Sequence, residues 1–124
     1  MKEEIIVYAD GSSLGNPGRG GYGVVILDGD HILELGGGDK HTTNNRMELT
    51  AAIEALSHIK KGRRVILRTD SSYLINGFTK WLPKWKENKW KTSTKKNVEN
   101  KDLWVKLARA TIGKEISWEH IGNC

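Results

Sequence analysis

Apolar and polar residues alternate with two different periods along this chain, and each change of period marks an element. Ile5-Ile6-Val7-Tyr8-Ala9 is apolar at every position, which predicts a central strand covered on both faces. After a glycine-rich stretch, Tyr22 to Leu27 predicts a second strand. Asp28-Gly29-Asp30 then predicts a turn, and His31 to Leu35 a third strand returning as a hairpin. From Thr43 to Ile59 the period becomes helical, with Leu49, Ala52, Ile53 and Leu56 in one stripe, and Lys61-Gly62 ends the helix. Val65 to Thr69 predicts a fourth strand and Ser71 to Asn76 a short helical turn. Asn100 to Ile112 predicts a second long helix closed by Gly113, and Ile116 to Ile121 a fifth strand. The order β-β-β-α-β-α-β predicts an α/β fold. Its five-stranded mixed sheet begins as a meander, continues by right-handed crossovers, and carries helices packed on it. The 124 residues suit a single domain, 1–124, without repeat or linker.

Composition narrows the classes of function. Hydrophobic residues make up 37% of the chain and charged residues 28%, ordinary for a soluble globular protein. No apolar run approaches the ~18 residues that span a membrane, and the acidic start Met1-Lys2-Glu3-Glu4 does not resemble a secretory signal, so no membrane partner and a cytoplasmic location are expected. The single cysteine, Cys124, excludes an internal disulfide and a cysteine-based zinc site. A net charge of +5 suggests a polyanionic partner, and its distribution sharpens the suggestion. From Lys80 to Lys101, lysines alternate with Trp81, Trp85 and Trp90. Three tryptophans in so polar a stretch cannot all be core, and surface use against a polyanion is expected.

Three acids stand where the pattern places a sheet edge. Asp10 directly follows the first strand and Asp70 the fourth, and sites in open α/β sheets form outside the carboxyl ends of strands. Glu48 lies in the first turns of the long helix beside the apolar stripe, leaning toward the sheet, whereas Glu54 should point to water. Three carboxylates at one edge repel one another unless a divalent cation compensates them, and hard oxygen ligands suit magnesium or manganese. A plainer alternative remains open, with Asp10 as a strand-end turn residue and Glu48 as a helix N-terminal acid paired with Asn45. Gly18-Arg19-Gly20-Gly21-Tyr22-Gly23 matches a dinucleotide-binding spacing but leads into a strand and not a helix, so that reading fails.

The words around these acids carry a resemblance. Tyr8-Ala9-Asp10-Gly11-Ser12, Gly15-Asn16-Pro17-Gly18, Gly20-Gly21-Tyr22-Gly23, Thr42-Thr43-Asn44-Asn45-Arg46-Met47-Glu48-Leu49 and Thr69-Asp70-Ser71 resemble, in order and spacing, the bacterial type 1 ribonuclease H pattern. The likeness continues through Trp81, Trp85, Lys89-Trp90-Lys91, Asp102-Leu103-Trp104 and Trp118-Glu119. The resemblance implies the ribonuclease H-like fold and an endonuclease that hydrolyses the RNA strand of RNA–DNA hybrids, leaving 5′-phosphate and 3′-hydroxyl ends. It implies Asp10, Glu48 and Asp70 as catalytic residues and ligands of two Mg2+ ions, with Mn2+ able to substitute, and Asp10 as the bridge between the ions. It further implies that Asn16, Asn44 and Asn45 contact the hybrid's minor groove and that Thr43 and Asn100 belong to a pocket for a DNA-strand phosphate. His41 stands in that pocket where the family often has arginine. Trp81, Trp85 and the neighbouring lysines resemble the family's basic protrusion, which holds the DNA strand.

The resemblance breaks at the end of the sequence. In the family, the fifth strand leads to a loop with a histidine and then to a last helix carrying a fourth acid. Here only Gly122-Asn123-Cys124 follow Ile121. Asn123 is a possible neutral ligand in the acid's place, and His120, inside the fifth strand, is expected to be a packing residue. Two expectations follow: an active endonuclease with a three-carboxylate site or, alternatively, a catalytically impaired hybrid-binding module. The sheet face that the last helix covers in the family is expected to be bare here, making self-association possible.

Overall fold

Five strands form one sheet in the order β3-β2-β1-β4-β5: β1 (Ile5–Ser13), β2 (Gly18–Asp28), β3 (His31–Thr42), β4 (Arg64–Thr69) and β5 (Glu115–His120). The first three strands pair antiparallel, and β4 runs parallel to both β1 and β5, giving the expected mixed sheet. Helix α1 (Asn44–Ser57) connects β3 to β4. Between β4 and β5 come α2 (Ser72–Asn76), a π-helical turn (Gly77–Trp81), α3 (Leu82–Glu87) and α4 (Lys101–Ala110). The structure is a computed structural model that describes residues 4–91 and 98–121, so Asn123 lies outside the described residues. Among the described residues no helix is long and apolar enough to cross a membrane.

The meander strands run well past their apolar runs. Tyr22, Gly23 and Gly21 of β2 pair with Gly37, Gly36 and Gly38 of β3, and Asp10 to Ser13 of β1 pair with Gly23 to Gly20. Backbone hydrogen bonding continues through these segments although they offer few side chains to bury, because an antiparallel ladder needs only aligned peptide groups. The expectation that Asp10 lies beyond the first strand is therefore corrected. It lies inside β1.

Ile5, Val7 and Ala9 of β1, Val24 and Ile26 of β2, and Val65 and Leu67 of β4 share one buried core with Leu49, Leu56, Trp104 and Leu107 of the helices. Among the described residues the opposite face is open. Ile6 is half-buried, Tyr8 is 37% exposed and Ile32 is 67% exposed. Among the described residues, the expectation of a first strand covered on both faces thus gives way to one covered face. Part of the open face is polar. Arg68 lies over the Tyr8 ring at 5.4 Å, donates to the Tyr8 hydroxyl at 2.6 Å and pairs with Glu119 at 2.8 Å.

Helix α1 buries Met47, Glu48, Leu49, Ala51, Ala52, Ala55 and Leu56, whereas the expected stripe member Ile53 is only half-buried. The helix packs on both the sheet and α4, so a single stripe understates its buried surface. The helical run 72–87 is longer than the short turn expected. Leu74, Phe78, Leu82 and Trp85 recur at helical spacing and face the core, a pattern masked by the surrounding lysines. Gly77 makes this packing possible, because a Cβ there would sit 2.1 Å from the Trp104 ring. The three tryptophans divide. Trp85 and Trp90 are partly buried against the core, and Trp81 is the exposed member at 37%. His120 pairs in register with Thr69 but is exposed, with Nε2 3.4 Å from Ser72 Oγ, so the expected packing role is corrected.

Candidate active site

The register sets the level of two of the acids. Tyr8 opposite Arg68 is the last pair between β1 and β4, and Asp10 and Asp70 each stand two residues further on. β1 continues beside β2 while β4 ends at Thr69, so the two carboxylates rise together where the parallel strands part. Glu48 reaches the same place from α1. Carboxylate oxygens of Asp10, Glu48 and Asp70 lie within 4.8 Å of one another, with Glu48 buried and both aspartates exposed. Glu54 is half-buried and outside this cluster.

Gly11 brings the helix and strand together. A Cβ on Gly11 would lie 2.4 Å from the Met47 carbonyl carbon and 2.7 Å from the Glu48 nitrogen, so only glycine lets α1 approach β1 this closely. The approach lets Glu48 Oε1 accept a hydrogen bond from the Gly11 N–H, while Thr69 Oγ1 donates to Oε2 at 3.3 Å. Burial pushes the Glu48 carboxyl up to about 7, assisted by the charges of Asp70 and Asp10 and opposed by the Gly11 N–H. A buried carboxylate beside two others is a set of hard donors with unbalanced negative charge, so the residues fit divalent cations.

Without metal, ionised Glu48 destabilises the fold. Below the ordinary carboxyl pKa of 4.5 the group is neutral in both folded and unfolded chains and carries no penalty. As pH rises through about 7, the folded chain must ionise it against burial and like charge, and the stability present at low pH is lost. Glu48→Gln keeps an oxygen for the Gly11 N–H, so it should stabilise metal-free protein by about 1–2 kcal/mol at about pH 8, after allowance for solvent screening, and by nearly nothing at about pH 4. Urea denaturation at the two pH values checks this, and equal effects at both would contradict it.

Beside the acids, the expected asparagines form one unit. Asn16 Oδ1 accepts from the Asn44 backbone N–H at 3.0 Å, and Asn44 Oδ1 accepts from the Ser13 backbone N–H at 2.5 Å. A backbone N–H can only donate, which fixes both side-chain oxygens inward and leaves both exposed NH2 groups as donors. A groove of about 480 Å3 joins the three carboxylates to Asn44, Asn45 and Tyr73. Thr43 caps α1, its hydroxyl accepting from the Arg46 N–H at 3.2 Å. Asn100 precedes α4 in a left-handed conformation at φ 59°, and His41 is exposed, its backbone N–H bound to Asp39 at 3.0 Å. Trp81 contacts Tyr73 and Trp85 with ring centroids 5.9 Å apart in each case, and Trp85 also meets buried Trp104 edge-on at 5.3 Å.

Local sequence pattern assigns no role to Thr69, Arg46 or Tyr73. Thr69 was visible as the residue before Asp70, but its hydroxyl matters only because Glu48 arrives from another element. Arg46 forms a two-pronged ion pair with Asp102, at 3.0 and 2.8 Å across 56 residues of sequence, and no local pattern announces such a partner. The Tyr73 hydroxyl accepts from Asn100 Nδ2 and Trp104 Nε1, both at 3.1 Å.

Known proteins are similar to this chain in sequence and fold. Residues 2–123 match the RNase H family. The chain is 48% identical over 122 residues to Ribonuclease H of Chlorobium luteolum, covering 98% of this chain and 84% of that protein. It is 46% identical over 120 residues to Ribonuclease HI of Pseudomonas aeruginosa, covering 97% and 81%. Among solved structures, LC9-RNase H1, a type 1 RNase H with the type 2 active-site motif, superimposes with a TM-score of 0.83 at 32% identity; the match covers 98% of this chain and 64% of that one. LC11-RNase H1 in complex with an RNA/DNA hybrid gives 0.69 at 28% identity, covering 94% and 84%. With the family matched along nearly its whole length and relatives near half identical, this chain belongs to the RNase H family.

Proposed function

We propose that this chain hydrolyses the RNA strand of RNA–DNA hybrids endonucleolytically, with two Mg2+ ions held by Asp10, Glu48 and Asp70, leaving 5′-phosphate and 3′-hydroxyl ends. The observation that carries the reading is the convergence of three carboxylates within 4.8 Å at the end of β4, beside a groove edged by Asn44 and Asn45. Bound Mg2+ supplies water activation and charge stabilisation at the leaving 3′ oxygen, and Mn2+ offers the same chemistry. The chain's own residues do the rest. Gly11 and Thr69 each donate to one Glu48 oxygen and so hold its carboxylate in place beside the aspartates. The outward amide groups of Asn16 and Asn44 are donors to 2′-oxygens and base acceptors in the minor groove, and Asn45 lies beside them. Thr43 and Asn100 take a DNA-strand phosphate. Trp81 gives the DNA strand an exposed ring, Trp85 backs it, and the lysines of segment 80–101 attract the phosphates. The same reading includes self-association through the open sheet face around Ile32 and Tyr8.

Hybrid binding should weaken steeply with salt, each neutralised phosphate adding about −0.9 to the slope of log affinity against log salt. Trp81→Ala should raise the hybrid dissociation constant about tenfold, as loss of one stacked base does, without changing metal affinity. Titrations at several salt concentrations test both statements. Unchanged hybrid binding by the Trp81 variant removes it from the interface.

A further inference from the structure

The geometry points to Arg46 as a positioning residue that holds the Asn100 side chain in the orientation needed to receive a DNA-strand phosphate. The inference rests on the reading of Asn100 given above. Arg46 Nη1 donates to Asn100 Oδ1 at 3.1 Å while the same guanidinium grips Asp102 with both prongs. An arginine has only N–H donors, so the atom it meets on Asn100 must be the oxygen, and the amide nitrogen is turned the other way. That nitrogen donates to the Tyr73 hydroxyl at 3.1 Å, which leaves its second hydrogen for a ligand. Without the guanidinium the amide could rotate and present its carbonyl oxygen, which repels a phosphate.

The backbone gives the clamp a further reason to exist. Asn100 sits at φ 59° and ψ 29°, a conformation that L side chains other than asparagine and aspartate seldom adopt. Its carbonyl accepts from the Leu103 and Trp104 N–H groups, both at 3.0 Å, so the residue is tied to α4 from one side and to α1 from the other. Arg46 lies two residues before Glu48, and the clamp therefore sets the spacing between the proposed phosphate contact and the carboxylates. The Arg46 charge is neutralised by Asp102, whose carboxyl the guanidinium holds below the usual range, so Arg46 need not touch the phosphate itself.

The experiment measures KM, kcat and the salt slope of hybrid binding for Arg46→Ala, Arg46→Lys, Asn100→Ala and the Arg46→Ala/Asn100→Ala pair, with thermal stability alongside. A lysine can pair with Asp102 but cannot fork to Asn100, so Arg46→Lys keeps the fold testable should Arg46→Ala fold poorly. The expected result is a KM raised about tenfold by either Arg46 variant and by Asn100→Ala, the usual effect of losing a hydrogen bond to a charged group, with kcat little changed. In the Asn100→Ala background, Arg46→Ala should add nothing further, and it should leave the salt slope unchanged in either background. A wild-type KM in both Arg46 variants, with KM raised in Asn100→Ala, overturns the clamp and leaves the phosphate reading standing. Equal KM effects of Arg46→Ala in both backgrounds, or a salt slope reduced by about one phosphate, overturn it by making Arg46 act independently of Asn100. A wild-type KM for Asn100→Ala overturns the phosphate reading and the clamp together.

Discussion

Asp10→Asn should abolish hybrid cleavage, by about a thousandfold or more, while hybrid affinity measured in the same buffer stays within about threefold of wild type. Asp10 is exposed, makes its cluster contacts through its carboxylate, and stands at the level of Asp70 beside buried Glu48. Removing its charge takes away a hard ligand from the proposed metal site without disturbing strand pairing, which uses only the backbone. Asp70→Asn and Glu48→Gln should likewise lose cleavage. Glu54→Gln should not, because Glu54 lies outside the cluster. Cleavage of a labelled hybrid in Mg2+ and in Mn2+ reads the outcome. Wild-type cleavage by Asp10→Asn would refute the metal-site assignment.

Gly11→Ala should be nearly as damaging, for a different reason. The added methyl would meet the Met47 carbonyl carbon at 2.4 Å and its oxygen at 2.6 Å, backbone atoms that cannot rotate away. Either β1 or α1 must shift, and overpacking of this kind costs about 1–3 kcal/mol of stability. A displacement of the order of 1 Å at Glu48 should also lower cleavage about a hundredfold, since catalysis depends on ligand placement more steeply than folding does. Gly11→Ala should therefore remain folded by circular dichroism, with a lowered midpoint in urea and greatly reduced kcat. A variant with wild-type kcat would show that the close approach of helix and strand is not needed at the site.

The order of elements was legible in the sequence because each period reports local geometry. The apolar run Val24 to Leu27 and the helical stripe of α1 need no distant partner to be recognised. Asp10 and Asp70 were legible too, since residues just past two paired parallel strands share one edge of the sheet, and Glu48 was legible because it lies beside the apolar stripe of α1. The helical run through Leu74, Phe78, Leu82 and Trp85 was present in the pattern but hidden by lysines that point to solvent.

Other features needed the fold. The extension of β1 to Ser13 comes from peptide groups of β2 and β3 that line up regardless of side chain. The single covered face of β1 follows from where the helices pack, since its apolar residues alone predict cover on both sides. Burial of Glu48, its raised pKa and its bond to the Gly11 N–H depend on α1 lying across β1, 37 residues away in sequence. The inward turn of the Asn16 and Asn44 oxygens depends on backbone donors at the start of α1 and the end of β1, and the grip of Arg46 on Asp102 and Asn100 joins α1 to the start of α4. The sequence by itself determined which residue types stand at strand and helix ends, because local periodicity and turn chemistry act over a few neighbours. Tertiary structure alone decided which way their donors and acceptors face, because those directions are set by partners that only the folded chain brings within 3 Å or so of one another.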